Sequence, residues 1–216
     1  MRVGIYSLMV AFLVPSLCVA QAKPPQVSWE WFNAAETYRN YARKSPNDLK
    51  IAAHYFRLAA EKGNAPAAYK LGEMYEKGEG VGKSNADAFA WYRKAADAGD
   101  RYGQFRVGYF YQKGMGVPLD LPEAARWYRL SAAQDNEWAY DMLAFMLADG
   151  QGVPKDEELA RRYFEQSLPR TDDNWARWKL ATLILAKDPK RAKLLLQQSA
   201  AAGNPEASKA LRGLGN

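Results

Sequence analysis

Hydrophobic residues recur along this chain at the spacing of amphipathic helices. One stripe consists of Ala67, Leu71, Met74 and Tyr75, at positions i, i+4, i+7 and i+8. Those positions share one face of an α-helix. No segment has the sustained apolar–polar alternation that marks a half-buried β-strand. The pattern therefore predicts an all-α protein with several helices of similar design.

A period of 36 residues relates these helices to one another. The tetrapeptide Gly78-Glu79-Gly80-Val81 returns at 114–117 and at 150–153, with both glycines and the valine kept. The pair Trp91-Tyr92 returns at 127–128. An incomplete copy precedes these units, and a copy with a shortened loop follows them. Self-similarity at such a period is the signature of stacked helix pairs.

Each unit is expected to contain two helices. The first carries the apolar stripe and ends at the Gly-x-Gly loop. The second begins at a Ser or Asp whose side chain accepts the free N–H groups of the first turn. These capping residues are Asp48, Ser84, Asp120, Asp156 and Asp188. Gly63, Gly99 and Gly203 stand where left-handed C-caps are expected. We therefore predict a right-handed α-solenoid of antiparallel helix pairs.

Four segments are expected along the chain. Residues 1–22 have the basic start, apolar run and small terminal residues of a secretory signal peptide. Residues 23–46 depart from the repeat and are expected to form an N-terminal capping helix, since an end repeat has a face without a neighbour. The repeat solenoid occupies 47–204, and 205–216 form a C-terminal capping helix or tail. We expect a periplasmic or secreted protein with no membrane span.

Composition limits the available chemistry. The chain has one His and one Cys, and that Cys precedes the expected cleavage site. The chain therefore has too few His and Cys residues to form a metal cluster or a nucleophile–base pair. We expect no enzyme, metal or cofactor. The segment 80–84 resembles the end of a phosphate-binding loop, but Lys77 stands where that loop requires glycine. The formal net charge of +6 is too mild to demand nucleic acid.

The segment from Ala67 to Gly99 resembles the Sel-one-like repeat. The likeness rests on Ala-Ala-Tyr-Lys-Leu-Gly-Glu-Met-Tyr-Glu-Lys-Gly-Glu-Gly-Val at 67–81 and on Ala-x-x-Trp-Tyr-x-x-Ala-Ala-x-x-Gly at 88–99. That family belongs to the tetratricopeptide-like helical arrays and has a longer loop between its helices. The resemblance implies adaptor, regulator or inhibitor roles that depend on protein–protein contact.

A partner-binding surface is expected on the first helices, which commonly line the concave groove of a helical solenoid. Residues off the apolar stripe should face this groove, and aromatic anchors there would dominate an interface. Lys70, Arg106 and Lys179 lie beside them, which favours a partner with an acidic surface. The candidate partner-binding residues are Tyr69, Phe105, Tyr109, Asp141, Phe145 and Trp178.

Two functions fit these observations. The first is a non-enzymatic adaptor or regulator of the bacterial cell envelope that captures another protein in the groove. The second is a periplasmic immunity protein that binds and neutralises a secreted toxic effector enzyme. Inhibition by occlusion needs tight binding but no chemistry. A chain without catalytic residues therefore suits either role.

Overall fold

The computed structural model describes residues 28–41 and 46–214, and all regular structure in these ranges is α-helical. The all-α prediction is confirmed. The expected signal peptide at 1–22 lies outside the described residues. The helices of the described chain are α1 (Ser28–Tyr41), α2 (Pro46–Glu61), α3 (Ala65–Lys77), α4 (Asn85–Asp97), α5 (Arg101–Lys113), α6 (Leu121–Ala132), α7 (Glu137–Asp149), α8 (Glu157–Thr171), α9 (Asn174–Ile184), α10 (Pro189–Ala201) and α11 (Pro205–Leu214).

Consecutive helices pack in pairs, as a solenoid requires. Each odd-numbered helix from α1 to α9 packs most extensively on the even-numbered helix that follows it. The pairs are joined because each even-numbered helix also packs on the next odd-numbered one. We call α1, α3, α5, α7 and α9 the first helices, and α2, α4, α6, α8 and α10 the second helices. Helix α1 lies within 23–46, the segment expected to form an N-terminal capping helix, and α11 lies within the predicted C-terminal segment.

One large aromatic side chain at an equivalent position of the second helices from α2 to α8 fills the core. Phe56, Tyr92, Tyr128 and Phe164 are fully buried and 36 residues apart. The first helix makes room for two of these rings with glycine. A Cβ on Gly72 would lie 2.7 Å from the Tyr92 ring. The recurring glycine is therefore explained by close packing of the two helices.

The predicted caps are present in three of the 36-residue units and in the shortened one. Ser84, Asp120, Asp156 and Asp188 each accept a hydrogen bond from the backbone N–H three residues later. The prediction was wrong for Asp48, because α2 begins at Pro46 and places Asp48 inside its first turn. Proline is favoured at a helix start, since its missing N–H is not needed there.

The Gly-x-Gly loops pack closely against the preceding unit. Gly80 has a φ of +71°, and a Cβ there would lie 2.3 Å from the Leu49 carbonyl oxygen of α2. Gly116 has the same φ, and a Cβ there would lie 2.6 Å from the Asn85 backbone at the start of α4. The loop therefore requires glycine for backbone conformation and for space. Ser84 serves as a helix cap, so the phosphate-loop resemblance is accounted for by packing.

Candidate functional site

A chain of ring contacts links the first helices of neighbouring units. The centroid of Tyr69 in α3 lies 6.0 Å from that of Tyr102 in α5. Tyr102 lies 6.0 Å from Trp138 in α7, which lies 6.1 Å from Phe105. The same helix faces carry further aromatic residues at i+3 and i+7 spacing. We call this surface the aromatic face; its members are Tyr69, Tyr102, Phe105, Tyr109, Trp138, Phe145, Trp175 and Trp178.

Five of the six candidate partner-binding residues belong to the aromatic face and are half-buried: Tyr69, Phe105, Tyr109, Phe145 and Trp178. The ring contacts bring Tyr69 and Phe105 together through Tyr102 and Trp138. Phe145 instead packs edge-on against the buried ring of Phe164, with centroids 4.9 Å apart. Their role in partner binding stays a prediction.

The most exposed aromatic residues of this face were not among the candidates. Trp138 is 48% exposed and Trp175 is 46% exposed. Both lie in the first turn of their helices, at the position that Tyr102 occupies in α5. The signal in the sequence is the recurrence Tyr102, Trp138 and Trp175, which is regular except for one extra residue before Trp175. The apolar stripe starts one residue later, so candidates placed relative to that stripe did not include these residues.

Asp141 does not reach the surface, contrary to the expectation. It is only 2% exposed, and its Oδ1 accepts a hydrogen bond from the Ser167 hydroxyl of α8. Burial raises the pKa of Asp141 to about 6, and the hydrogen bond from Ser167 opposes part of that rise. The equivalent residues Tyr69 and Phe105 extend to the surface, whereas the short carboxyl side chain lies beneath it.

The three cations that the sequence placed beside the aromatic face each pair with a carboxylate of the protein. Lys70 Nζ lies 3.0 Å from Glu73, Lys179 Nζ lies 2.5 Å from Asp149, and Arg106 pairs with Glu76. The Arg106 guanidinium also lies over the ring of Tyr109, 5.2 Å from its centroid. These pairs weaken the argument for an acidic partner, because each cation already has an anionic neighbour.

The aromatic face has the composition of a protein interface. Aromatic residues, Met and Arg are enriched in interface centres, whereas Lys, Glu and Asp are depleted there. The described ranges contain no group of three or more metal-ligating side chains. Within the same ranges, no helix combines the length and the apolar character needed to cross a bilayer. The face therefore offers contact area and a few hydrogen bonds, the means of binding another macromolecule.

The Sel1 repeat matches most of the chain, at residues 40–64, 65–100, 101–136, 139–168 and 183–204. The matches at 65–100 and 101–136 each enclose one helix pair, α3–α4 and α5–α6, and the match at 139–168 covers most of α7 and α8. The first and last matches cover α2 and α10 with only the end of the helix before each. None of the functionally curated proteins matches the chain. The family match at these residues confirms the recognition of this repeat from the sequence.

Solved structures share the architecture. A Sel1 repeat protein from Oxalobacter formigenes is 31% identical, with a TM-score of 0.72 over 87% of this chain and 76% of its own. The protective antigen c5321 of uropathogenic Escherichia coli is 28% identical, with a TM-score of 0.74 over 85% of this chain. This chain spans 40% of the length of c5321. A Sel1 repeat protein from Klebsiella pneumoniae, 18% identical with a TM-score of 0.51 over 88% of this chain and 93% of its own, shows the same fold.

Proposed function

Because the chain belongs to the Sel1 repeat family, we propose that it is a non-enzymatic adaptor or regulator of the bacterial cell envelope. It captures a partner protein on the aromatic face. The observation that carries this proposal is the pair of half-exposed tryptophans, Trp138 and Trp175, in equivalent first turns of two neighbouring first helices. Tryptophan is the residue type most enriched among interface anchors, and Trp138 is held in place by Tyr102 and Phe105.

The partner presents an apolar segment to this face. Lys70, Arg106 and Lys179 are already paired, so they gain little from an additional carboxylate. A carboxylate of the partner that displaced Glu73, Glu76 or Asp149 would break one ion pair for each one it formed. The net change in binding free energy would therefore be small. Binding should therefore depend weakly on ionic strength, in contrast to the salt-sensitive binding expected of unpaired surface charges.

The proposal is tested by capturing partners with the mature protein, residues 23–216, from bacterial envelope extract. Material retained by the wild type is compared by mass spectrometry with material retained by Trp138→Ala/Trp175→Ala. The proposal expects at least one envelope protein that the wild type holds through a high-salt wash and the double variant does not. Equal capture by both proteins would contradict it.

The identity of the captured protein decides between the two roles. Structural or signalling envelope proteins support an adaptor. A single toxic enzyme held in a one-to-one complex supports the alternative of a periplasmic immunity protein. In that case the enzyme loses activity on mixing with the wild type and keeps it with the double variant. The envelope location is tested separately by expressing the full-length chain in a bacterial host, because a cleaved signal peptide would leave Lys23 as the N-terminal residue of the protein recovered from the envelope fraction.

A further inference from the structure

Four short connections join a second helix to the next complete helix pair, and each contains one residue in the left-handed conformation. We call these connections elbows. The left-handed residues have φ values of +84°, +87°, +61° and +53°. They are, in chain order, Gly63, Gly99, Asp135 and Asp172.

At three of the four elbows a polar side chain from further along the chain bonds to the left-handed residue. Gln134 Nε2 donates to the Gly99 carbonyl oxygen at 3.0 Å. Arg170 Nη1 lies 2.6 Å from Asp135 Oδ1 at the third elbow. Arg177 Nη1 donates to the Asp172 carbonyl oxygen at 3.1 Å. Each of these three elbows is thus closed by a polar side chain, although the residue type differs.

The second elbow gives the most complete version of this closure. Gln134 Nε2 also donates to Gln104 Oε1 at 2.9 Å, and Gln104 Nε2 donates to the Ala96 carbonyl oxygen at 3.4 Å. Two side-chain amides therefore fill the space between α4, α5 and the end of α6. Gln104 is only 7% exposed, whereas Gln134 is an exposed residue, so the pair extends from the interior to the surface.

The first elbow lacks both amides. Ala68 and Ala98 stand 36 residues before Gln104 and Gln134. Among the described residues, no side chain hydrogen-bonds to Gly63. A pocket of about 120 Å³ lies where the two amides would be. It is lined by Ala60, Glu61, Gly63, Asn64, Ala65, Ala68, Lys94 and Ala98. At ~30 Å³ for each water molecule, the pocket has room for an inserted side chain.

We propose that this pocket receives a side-chain amide, Gln or Asn, of the partner protein, which completes the elbow as Gln104 and Gln134 do in the next one. The pocket offers both acceptors and donors. The Gly63 carbonyl and the Glu61 carboxylate can accept, and the Lys94 ammonium can donate. Asn64 Nδ2 is buried without a partner in the described structure. An amide satisfies both kinds of group, whereas an arginine only donates and would meet Lys94.

The location connects this pocket with the aromatic face. Pro66, two residues after Asn64, occupies in α3 the position that Tyr102 and Trp138 occupy in α5 and α7. Tyr69 lies one turn further along α3 and contacts Tyr102. A partner segment that follows the aromatic face from Trp138 toward α3 therefore arrives at the pocket. The inference rests on the proposed function for its partner, but its chemistry is tested without that partner.

The test uses N-acetylglutamine methylamide as a probe, with N-acetylnorleucine methylamide as an apolar control of similar length. Backbone amide shifts of residues 23–216 are followed by NMR during titration with each compound. We expect saturable shifts at Gly63, Asn64 and Lys94 with the glutamine probe and none with the norleucine control. Ala68→Gln/Ala98→Gln supplies the missing amides within the chain and should abolish these shifts.

A second variant should open an equivalent pocket at the second elbow. Gln134→Ala should create saturable shifts at Gly99 with the glutamine probe, because the removed amide is then replaced from solution. If the double substitution at Ala68 and Ala98 unfolds the protein, Ala98→Gln alone, at an exposed position, serves instead. Absence of saturable shifts, or equal shifts with the norleucine control, overturns the inference. Either result leaves the dependence of partner capture on Trp138 and Trp175 untouched, so the two proposals fail separately.

Discussion

Replacing Asp141 by asparagine should stabilise the protein at pH 8 and leave its stability nearly unchanged at pH 4. Asp141 is buried beneath the aromatic face, and burial raises the pKa of its carboxyl to about 6. Neighbouring carboxylates of Asp173 and Glu137 add to this rise, while Ser167 and Thr171 donate hydrogen bonds that oppose it. Asparagine has nearly the same shape and keeps an oxygen for the Ser167 hydroxyl, but it does not ionise.

The magnitude follows from the difference between folded and unfolded pKa values. An unperturbed aspartate has a pKa of about 3.9, so the folded state raises the pKa by about two units, which corresponds to about 3 kcal/mol. Because the raised pKa means that the folded state binds the proton more tightly, stability is highest below the unfolded pKa. It declines as the pH rises from about 4 to about 6 and is then constant. The asparagine variant lacks this decline.

Thermal unfolding followed by circular dichroism between pH 4 and pH 8 measures the effect. At ~2–4 °C for each kcal/mol in a chain of this size, the variant should unfold roughly 6–12 °C above the wild type at pH 8. Asp149→Asn is the matched control, since its side chain in the same helix is 40% exposed and pairs with Lys179. That control should change stability by less than about 1 kcal/mol. An equal effect of Asp141→Asn at both pH values would refute the reasoning.

Other substitutions test the packing between units. Gly116→Ala should destabilise the protein by about 2 kcal/mol or more, because its φ of +71° is strained for alanine and a Cβ would lie 2.6 Å from the Asn85 backbone. Chemical denaturation measures this, and Gly82→Ala, with nothing within 4 Å of its Cβ, should have little effect. Tyr128→Phe should cost about 1 kcal/mol through loss of the 2.8 Å hydrogen bond to Gln112. A neutral result in the same denaturation experiment would show that this buried bond contributes nothing net.

The repeat architecture could be predicted because local rules and the period agree. Apolar spacing identifies the first helices from α3 to α9, and residues such as Ser84 and Asp120 mark the start of the second helices from α4 to α10. Glycines at equivalent positions, such as Gly80 and Gly116, indicate where the backbone turns and where neighbours approach. Each signal lies within a few residues of the feature that it specifies, and repetition confirms it.

The surface could be predicted only in part, because the period gives a residue's helix face and not its depth. Asp141 shares the register of Tyr69 and Phe105, yet its short side chain ends beneath the surface, where Ser167 meets it from α8. The ion pairs beside the aromatic face could not be predicted for a similar reason. Arg106 pairs with Glu76, which lies 30 residues earlier on the neighbouring first helix. Such partners depend on how the pairs stack.

The choice of anchors for a binding test follows from the same packing. Truncation of Phe145 would remove its contact with the buried Phe164 ring and so disturb the core together with the surface. Trp138 and Trp175 are about half exposed, so their loss should change binding with little change in helicity. Leu119 and Leu194, which are 62% and 53% exposed in a loop and a second helix, provide a control of similar apolar character away from the aromatic face.

The affinity of a captured envelope protein for Trp138→Ala/Trp175→Ala tests the central claim most directly. Isothermal titration against the wild type, the tryptophan double variant and Leu119→Ala/Leu194→Ala provides the three dissociation constants. If the aromatic face holds the partner, loss of one anchor worth about 2 kcal/mol weakens binding about 30-fold, and loss of both should weaken it by at least that factor. The leucine control then binds like the wild type. Wild-type affinity in the tryptophan variant, or an equal loss in the leucine control, would contradict the account.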